Sequence, residues 1–462
     1  MDIAIIGGGV TGLTAAYELL KSGHKVTVFE KEKTLGGLAA GFRPTSTRGD
    51  ASSTRLDSAK RARGGQPLWD WHLEQTYHHF FTNDTAIISL AKELGLEKDL
   101  MILSPTTSVY WNKKQYPFDT PLTILKFPGI PFIDRLRTGM TAAIMKLNPF
   151  WKPLEAITAK NLFRMINGEN TWNTIWEPLL DAKFGPYADQ VPASWLWARL
   201  HKRTMNLGYF RGGFQTFIDS LADAIEKQGG IIITNSAVTS IKQDVRSKKY
   251  EIRIIHNNSY VVNRTSYFDK VLITTPSSIA TKLIKFSKSY EQRLHAIPHL
   301  WAQTLILETN EPILDKTYWL NINDRTFPFL AVVAHTNMID KKYYGGHYIT
   351  YIGNYLPDDH PFLKMTKQQL LKKFLPYLKK INPSFLLSDR LIVSSSLFTV
   401  PFAQPVHTLN YSTKVPPLKT PIDGIYLANL DSIYPWDRGI NYAVELGQKA
   451  AQQIQREKNF EI

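Results

Sequence analysis

The first thirty residues leave the chain little choice of fold. Ile3 to Ile6 is a short apolar run of buried-strand length, and Gly7, Gly9 and Gly12 punctuate the turn that opens a helix from about Val10 to Ser22. Gly7 permits the tight turn, Gly9 lets a pyrophosphate approach the backbone, and Gly12 lets the helix lie close on the sheet. The first helical amides, those of Val10 and Thr11 onward, then face the anion with the positive end of the helix behind them. A second strand, Lys25 to Phe29, ends at Glu30, whose carboxylate is placed to accept from both hydroxyls of an adenosine ribose. An acid there favours NAD or FAD over a 2′-phosphorylated cofactor. A glycine turn in any α/β protein is the bland alternative. The strand before it, the helix after it and the acid at the next strand end favour the dinucleotide site.

The residues after Glu30 separate the two cofactors. The run Lys31, Leu35, Gly36, Gly37, Leu38 resembles the second glycine motif of the two-dinucleotide-domain flavoproteins, where the backbone passes the diphosphate and ribityl chain. Simple NAD dehydrogenases lack it, so FAD is the expected cofactor.

At 462 residues the chain is long enough for two large interleaved domains, each with a substantial core. It has no cysteine, which excludes disulfides, thiolate zinc, thiol catalysis and a cysteinyl-linked flavin, and which fits a reducing compartment. No metal site is expected. The first strand begins at Asp2 and no apolar span reaches about 18 residues, so a soluble or peripherally attached cytoplasmic protein is expected. The formal net charge is +15. Residues 43 to 66 carry six Lys/Arg against two Asp and no aromatic residue, which suits a disordered basic insertion, taken as 43–67. A nucleic-acid arm is the sharper reading of that stretch, but without interleaved aromatics no specific nucleic-acid partner is expected.

Beyond the insertion, residues 68 to 81 are dense in aromatics and contain His72, Tyr77, His78 and His79. Adjacent histidines point in different directions on a strand or a helix and make a poor metal pair. Either they are structural, or Tyr77 with His78 or His79 faces the flavin ring or the substrate. The spacing predicts a helix over Thr85 to Leu94, stopped by Gly95, then a hairpin of Ser108 to Trp111 and Lys114 to Phe118 around Asn112 and Lys113. Residues 120 to 182 read as a helical region with scattered cations, among them Lys126, Arg135, Arg137 and Lys146. That pattern fits a monotopic membrane surface or, equally, a cap over the substrate. Farther on, Arg199 and Arg203 are one helical turn apart and could clamp a carboxylate or phosphate, unless they are solvated surface charge. Short strands are predicted at Gly229 to Ile233 and Ala237 to Ile241, and a mostly antiparallel sheet over 300 to 352.

The last segment reads as a strand, Ile425 to Ala428, a loop, and a helix from about Ile440 to Ile454. With Gly439 at its start, such a helix can aim amides and its positive end at the flavin N1 and C2 carbonyl. Without a cofactor it would only dock on the sheet.

With both ends read, the chain resembles the FAD-dependent amine oxidase superfamily, in the branch containing protoporphyrinogen oxidase and phytoene desaturase and, more distantly, UDP-galactopyranose mutase. The carriers are Gly7, Gly9, Gly12 and Glu30, the Gly36-Gly37 repeat, the run at Gly212 and Gly213, the strand with Val238, the turn at Thr275 and the start of the C-terminal helix. The resemblance implies an α/β two-dinucleotide-binding-domain flavoprotein with an interleaved α+β substrate domain. It assigns 1–42, 68–82, 205–298 and 418–462 to the FAD domain, and 83–204 with 299–417 to the cap. It implies a backbone contact from Val238 to adenine. Where family members commonly carry Gly-Asp this chain has Asn429 and Leu430, so Asn429 or Asp431 is expected to take over the ribityl contact. Asn441 and Tyr442 stand where Glu and Gly are usual, giving Gly439, Ile440 and Asn441 as flavin-edge candidates. Lys183 is the candidate for the lysine that holds a water near flavin N5 in many amine oxidases. The expected activity is removal of a hydride equivalent from a small organic substrate. The rivals are a non-redox mutase acting on a nucleotide sugar and a flavin-binding protein without catalysis. Oligomeric state is left open by the sequence.

Overall fold

The structure is a computed structural model that describes residues 1–44, 68–244, 246–256, 264–385 and 391–456. The expected basic insertion, 43–67, lies outside these except for its first two residues. A five-stranded parallel sheet carries the glycine turn. Its order across the sheet is Ile231–Ile233, Lys25–Phe29, Asp2–Ile6, Lys270–Ile273, Ile425–Leu427. The opening strand therefore sits at the centre and the chain's last strand at one edge, which brings the two ends of the sequence into one layer. Ile3, Ala4 and Ile5 are fully buried, as a central parallel strand covered on both faces requires.

Helix Val10–Lys21 follows the first strand and lies against the C-terminal helix Ile440–Arg456. Their close approach depends on Gly447, where a Cβ would meet the carbonyl oxygen of Thr11 at 2.6 Å. Gly12 has the same role between this helix and the sheet, since a Cβ there would run into the Gly7 carbonyl.

The second large sheet has seven strands, in the order Ile392–Pro405, His299–Thr309, Tyr348–Leu356, Ala331–Ala334, Thr317–Ile322, Thr106–Trp111, Lys114–Pro117. All neighbours are antiparallel except Thr317–Ile322 with Thr106–Trp111. The expected hairpin is present, and Asn112 and Lys113 both take positive φ, as a two-residue turn between strands demands. Helices between residues 121 and 202 cover one end of this sheet.

One local expectation changes. The helix bearing Arg199 ends at Lys202, so Arg203 leaves it with extended backbone (φ −58°, ψ 129°) and is not on its face. Helix Phe132–Leu147 is turned inside out: its buried face is largely polar, with Asp134, Thr138 and Thr141. Their partners explain the burial. Thr138 Oγ1 donates to the Asp134 carbonyl at 2.7 Å and Asn167 Nδ2 donates to Thr141 Oγ1 at 2.9 Å. The opposite face exposes Phe132, Ile133, Leu136, Met140, Ile144 and Leu147, each between 47% and 80% accessible.

Candidate active site

A cavity of about 970 Å³ runs from the glycine turn to the seven-stranded sheet. Gly7, Gly9, Val10 and Thr11 line it at one end, with Glu30, Lys31 and Val238; Gly36, Gly37 and Leu38 continue the wall. Thr275, Asn429, Asp431, Gly439 and Ile440 line it as well, with Thr275 beside the Gly7 turn. Gly12 stands behind the turn, in the packing role expected of it.

The turn is shaped for a ligand backbone. Gly9 and Gly36 pair as an isolated parallel bridge, and the Gly36 amide donates to the Gly8 carbonyl at 2.9 Å, which joins the two glycine motifs. A Cβ at Gly9 would meet nothing within 4 Å, so open cavity lies in front of it. The Glu30 oxygens accept from the Gly8 amide at 2.7 Å and the Glu32 amide at 2.9 Å. That fixes the carboxylate and leaves each oxygen a further lone pair for a ribose hydroxyl. Thr275 Oγ1, also in the cavity wall, is buried with no hydrogen-bond partner among the described residues. Open space, spare acceptors and an unpartnered hydroxyl in one groove fit an adenine dinucleotide.

Asn429 and Asp431 form a knot. Asn429 Nδ2 donates to the Thr275 carbonyl at 3.0 Å and to Ser277 Oγ at 3.1 Å, and its Oδ1 accepts from the Asp431 amide at 3.0 Å. The buried Asp431 accepts from Ser277 Oγ and is 2.6 Å from His299 Nε2. Both side chains thus hold the loop, with Leu430 and His299 beside them in the cavity wall. Asn441 departs from expectation altogether. It is buried against helix Thr85–Glu93, accepts from the Ile87 amide at 3.1 Å and donates to Glu445 at 2.8 Å, so it secures two helices instead of facing the cavity.

The other end of the cavity holds all six substrate-side candidates: Tyr77, His78, His79, Lys183, Arg199 and Arg203. The Tyr77 ring stands edge-on to Trp319, with centroids 4.7 Å apart, and fits only because position 353 is glycine: a Cβ there would meet the ring at 2.8 Å. His78 places Nδ1 2.6 Å from the Thr76 carbonyl. Burial holds its pKa down to about 4, so the ring is neutral, Nδ1 carries the proton, and Nε2 is a bare acceptor. Burial, with the charges of Arg203 and Arg199 added, takes His79 down to about 3. Lys183 is buried, and Nζ pairs with Asp437 at 2.8 Å above the ring of Trp195. Burial lowers Lys183 to about 8 despite that partner. For Asp437, burial acts upward, but Lys183 and Arg199 outweigh it and hold the acid at about 2.

The family model for flavin-containing amine oxidoreductases matches residues 10–455. The chain belongs to that family. Among solved structures, a provisionally named protoporphyrinogen oxidase from Exiguobacterium sp. 255-15 superposes with a TM-score of 0.71 at 17% identity, covering 99% of both chains. Reduced UDP-galactopyranose mutase superposes at 0.68 and 16% identity, covering 98% of this chain and 95% of that one. These likenesses show the shared α/β fold. By sequence, the zeta-carotene desaturase of Solanum lycopersicum is 29% identical over 156 residues, 31% of this chain and only 22% of the desaturase. Family membership and the groove together make FAD the cofactor.

In this member of the flavin-containing amine oxidoreductases, several cavity residues carried no sequence signal. Trp319, Tyr318 and Tyr355 come from strands whose alternation marks which face is buried but not what it faces. Asp437 and Arg438 did have one, since they directly precede Gly439 in the loop ahead of the last helix.

Proposed function

We propose that the protein is an FAD-dependent oxidoreductase that removes a hydride equivalent from a C–H or C–N centre of a small organic substrate. The observation that supports this best is the continuity of the cavity, which joins the dinucleotide groove to an aromatic and charged chamber under the seven-stranded sheet. FAD, when bound, supplies the hydride acceptor. The chain's own residues do the rest. Tyr77 and Trp319 would form the aromatic wall against which the substrate lies. The neutral ring of His78, with Nδ1 committed to the Thr76 carbonyl, would offer Nε2 to the substrate as a hydrogen-bond acceptor. The positive end of helix Ile440–Arg456, with Gly439 at its start, would favour negative charge at the flavin edge. Lys183 and Asp437, locked together, orient the loop that leads into that helix. Residues 1–42, 68–82, 205–298 and 418–462 form the FAD-holding part in this reading, and 83–204 with 299–417 form the cap.

The partner beyond the substrate is a membrane surface, with the protein in the cytoplasm and attached peripherally. No helix among the described residues is long and apolar enough to cross a bilayer. The outward apolar stripe of helix Phe132–Leu147, flanked by Lys126, Arg135 and Lys146, instead suits shallow insertion among anionic headgroups. That helix borders the cavity: Lys146 Nζ donates to the carbonyl of Arg203, a wall residue, at 2.5 Å.

The test begins with the absorption spectrum of the purified protein, which should show oxidised-flavin bands. Anaerobic addition of porphyrinogens, amines and polyenes should then bleach them with at least one substrate class. If no substrate bleaches the flavin, yet pre-reduced protein converts UDP-galactopyranose, the mutase reading replaces this one.

A further inference from the structure

We infer that the substrate carries an oxyanion, a carboxylate or a phosphate, seated on the guanidinium of Arg203 with Arg199 beside it, and that the chamber excludes simple ammonium substrates. This rests on the oxidoreductase reading and narrows what the cavity admits.

Away from the glycine motifs the cavity wall holds five cations (Lys183, Arg199, Lys202, Arg203, Arg438) and four carboxylates (Asp84, Asp119, Asp431, Asp437), so one positive charge is left over. The carboxylates are already engaged. Asp437 holds Lys183 at 2.8 Å and accepts from Gln404 at 3.3 Å. Asp84 accepts from the Phe81 amide at 2.8 Å, and Asp119 from the Thr107 amide at 3.1 Å. Three of the cations are also placed. Lys183 has Asp437, Lys202 lies over the rings of Trp436 and Tyr442 at 5.0 and 5.8 Å, and Arg438 donates to the Ala403 carbonyl at 3.2 Å while lying 4.7 Å over Tyr355.

Arg199 and Arg203 remain. Arg199 lies 5.5 Å over Trp195 and reaches Asp437 only at 4.0 Å. The guanidinium of Arg203 has no hydrogen bond or ion pair among the described residues, although its carbonyl is held by Lys146. The charge of Asp119 reaches it without forming a pair, and burial together with Arg199 lowers its pKa to about 10. The guanidinium of Arg203 is half-buried in the cavity wall with no counter-ion among the described residues, and its planar fork matches a carboxylate or phosphate edge. The diphosphate of FAD does not account for it. The glycine turn and the start of helix Val10–Lys21 serve that group, whereas the charges of Arg199 and Arg203 are felt at His79 beside the chamber's aromatic wall. The surplus positive charge that attracts an oxyanion repels an ammonium group, even though the family is described by amine substrates.

Three probes of one shape and different charge decide this: benzoate, phenyl phosphate and benzylamine, titrated into the holoprotein at low ionic strength while the flavin absorption bands are followed. Benzoate or phenyl phosphate should shift the bands saturably, and which binds tighter tells carboxylate from phosphate. Benzylamine should bind at least about tenfold more weakly, and Arg203→Ala should weaken the anions by about ten- to a hundredfold, Arg203→Lys by less. Equal or tighter binding of benzylamine overturns the proposal. So does unchanged anion binding in Arg203→Ala, or loss of FAD from that variant, which would give the arginine to the cofactor. If Arg203→Ala does not fold, the anion-to-amine ratio in the parent protein decides alone. Should the protein isolate without flavin, the oxidoreductase reading fails, and tryptophan fluorescence, with Trp195 under Arg199, still reads the anion titration.

Discussion

His78, His79, His335 and His407 are each held well below the ordinary histidine pKa of 6.5, at about 4, 3, 3 and 4, with burial the leading cause in all four. A histidine whose folded pKa is depressed refuses a proton that the unfolded chain accepts. Stability is therefore full above pH 6.5 and falls as the pH drops from 6.5 toward 4, by up to about 1.4 kcal/mol per pH unit for each histidine. His407 isolates the effect, because neither of its ring nitrogens has a partner among the described residues and its ring lies 4.4 Å from that of Tyr411. His407→Phe keeps the ring contact and removes the titration. Its Tm should exceed the parent's more at pH 5 than at pH 8, and parallel Tm curves would refute the assignment. The buried pair behaves oppositely. Lys183→Met strands Asp437 and should cost about 3–5 kcal/mol at pH 7, measured by denaturant unfolding, while the double change with Asp437→Asn should recover much of it. At this scale the sequence was legible where chemistry is local, as with Glu30 at a strand end. It was silent where side chains from distant segments meet, as with Trp319 against Tyr77, and it misplaced Asn441, whose partner Ile87 belongs to an element far away in the chain.

Elements were readable where one rule governs them. Asn112 and Lys113 between two alternating runs could only be a tight hairpin, and Gly7, Gly9 and Gly12 after an apolar run could only be a turn into a helix. The helix through Arg203 ended a residue early because nothing in the local pattern marks the stop. The role of Gly447 was hidden as well, since its reason is a second helix. Gly447→Ala pushes a methyl toward the Thr11 carbonyl, 2.6 Å away, and overpacking of this kind costs about 1–3 kcal/mol. Because the displaced helix carries the glycine turn at its start, the variant should lose FAD before it loses fold. The flavin-to-protein absorbance ratio should fall while far-UV circular dichroism is retained. The inverted helix Phe132–Leu147 gives the element-scale test of membrane contact. Inserting an exposed apolar side chain into a bilayer is worth about 1.5–3 kcal/mol at full burial. Met140→Asp with Ile144→Asp should thus cut sedimentation with phosphatidylserine vesicles at least about tenfold and leave binding to neutral vesicles as weak as before.

For the molecule as a whole, the sheet order brings the segments near the two ends of the chain onto one cavity. The central strand Asp2–Ile6 and the edge strand Ile425–Leu427 are separated only by Lys270–Ile273, and the turn after the first and the loop after the last open onto one cavity. Their glycines marked both ends as candidate cofactor segments, but the strand order that brings them together depends on a middle strand whose pairing no local pattern specifies. A ligand that touches both ends and binds only the folded state stabilises by mass action, about 2.7 kcal/mol at a hundred times its Kd. FAD added to flavin-stripped protein should therefore slow amide hydrogen exchange in peptides covering Gly7–Thr11 and Gly439–Ala443 together, with the same midpoint in FAD concentration. Helix Phe132–Leu147 should not respond over that range. Protection confined to the first peptide would mean that the C-terminal helix merely docks on the sheet, and the cofactor edge would have to be sought elsewhere in the cavity wall.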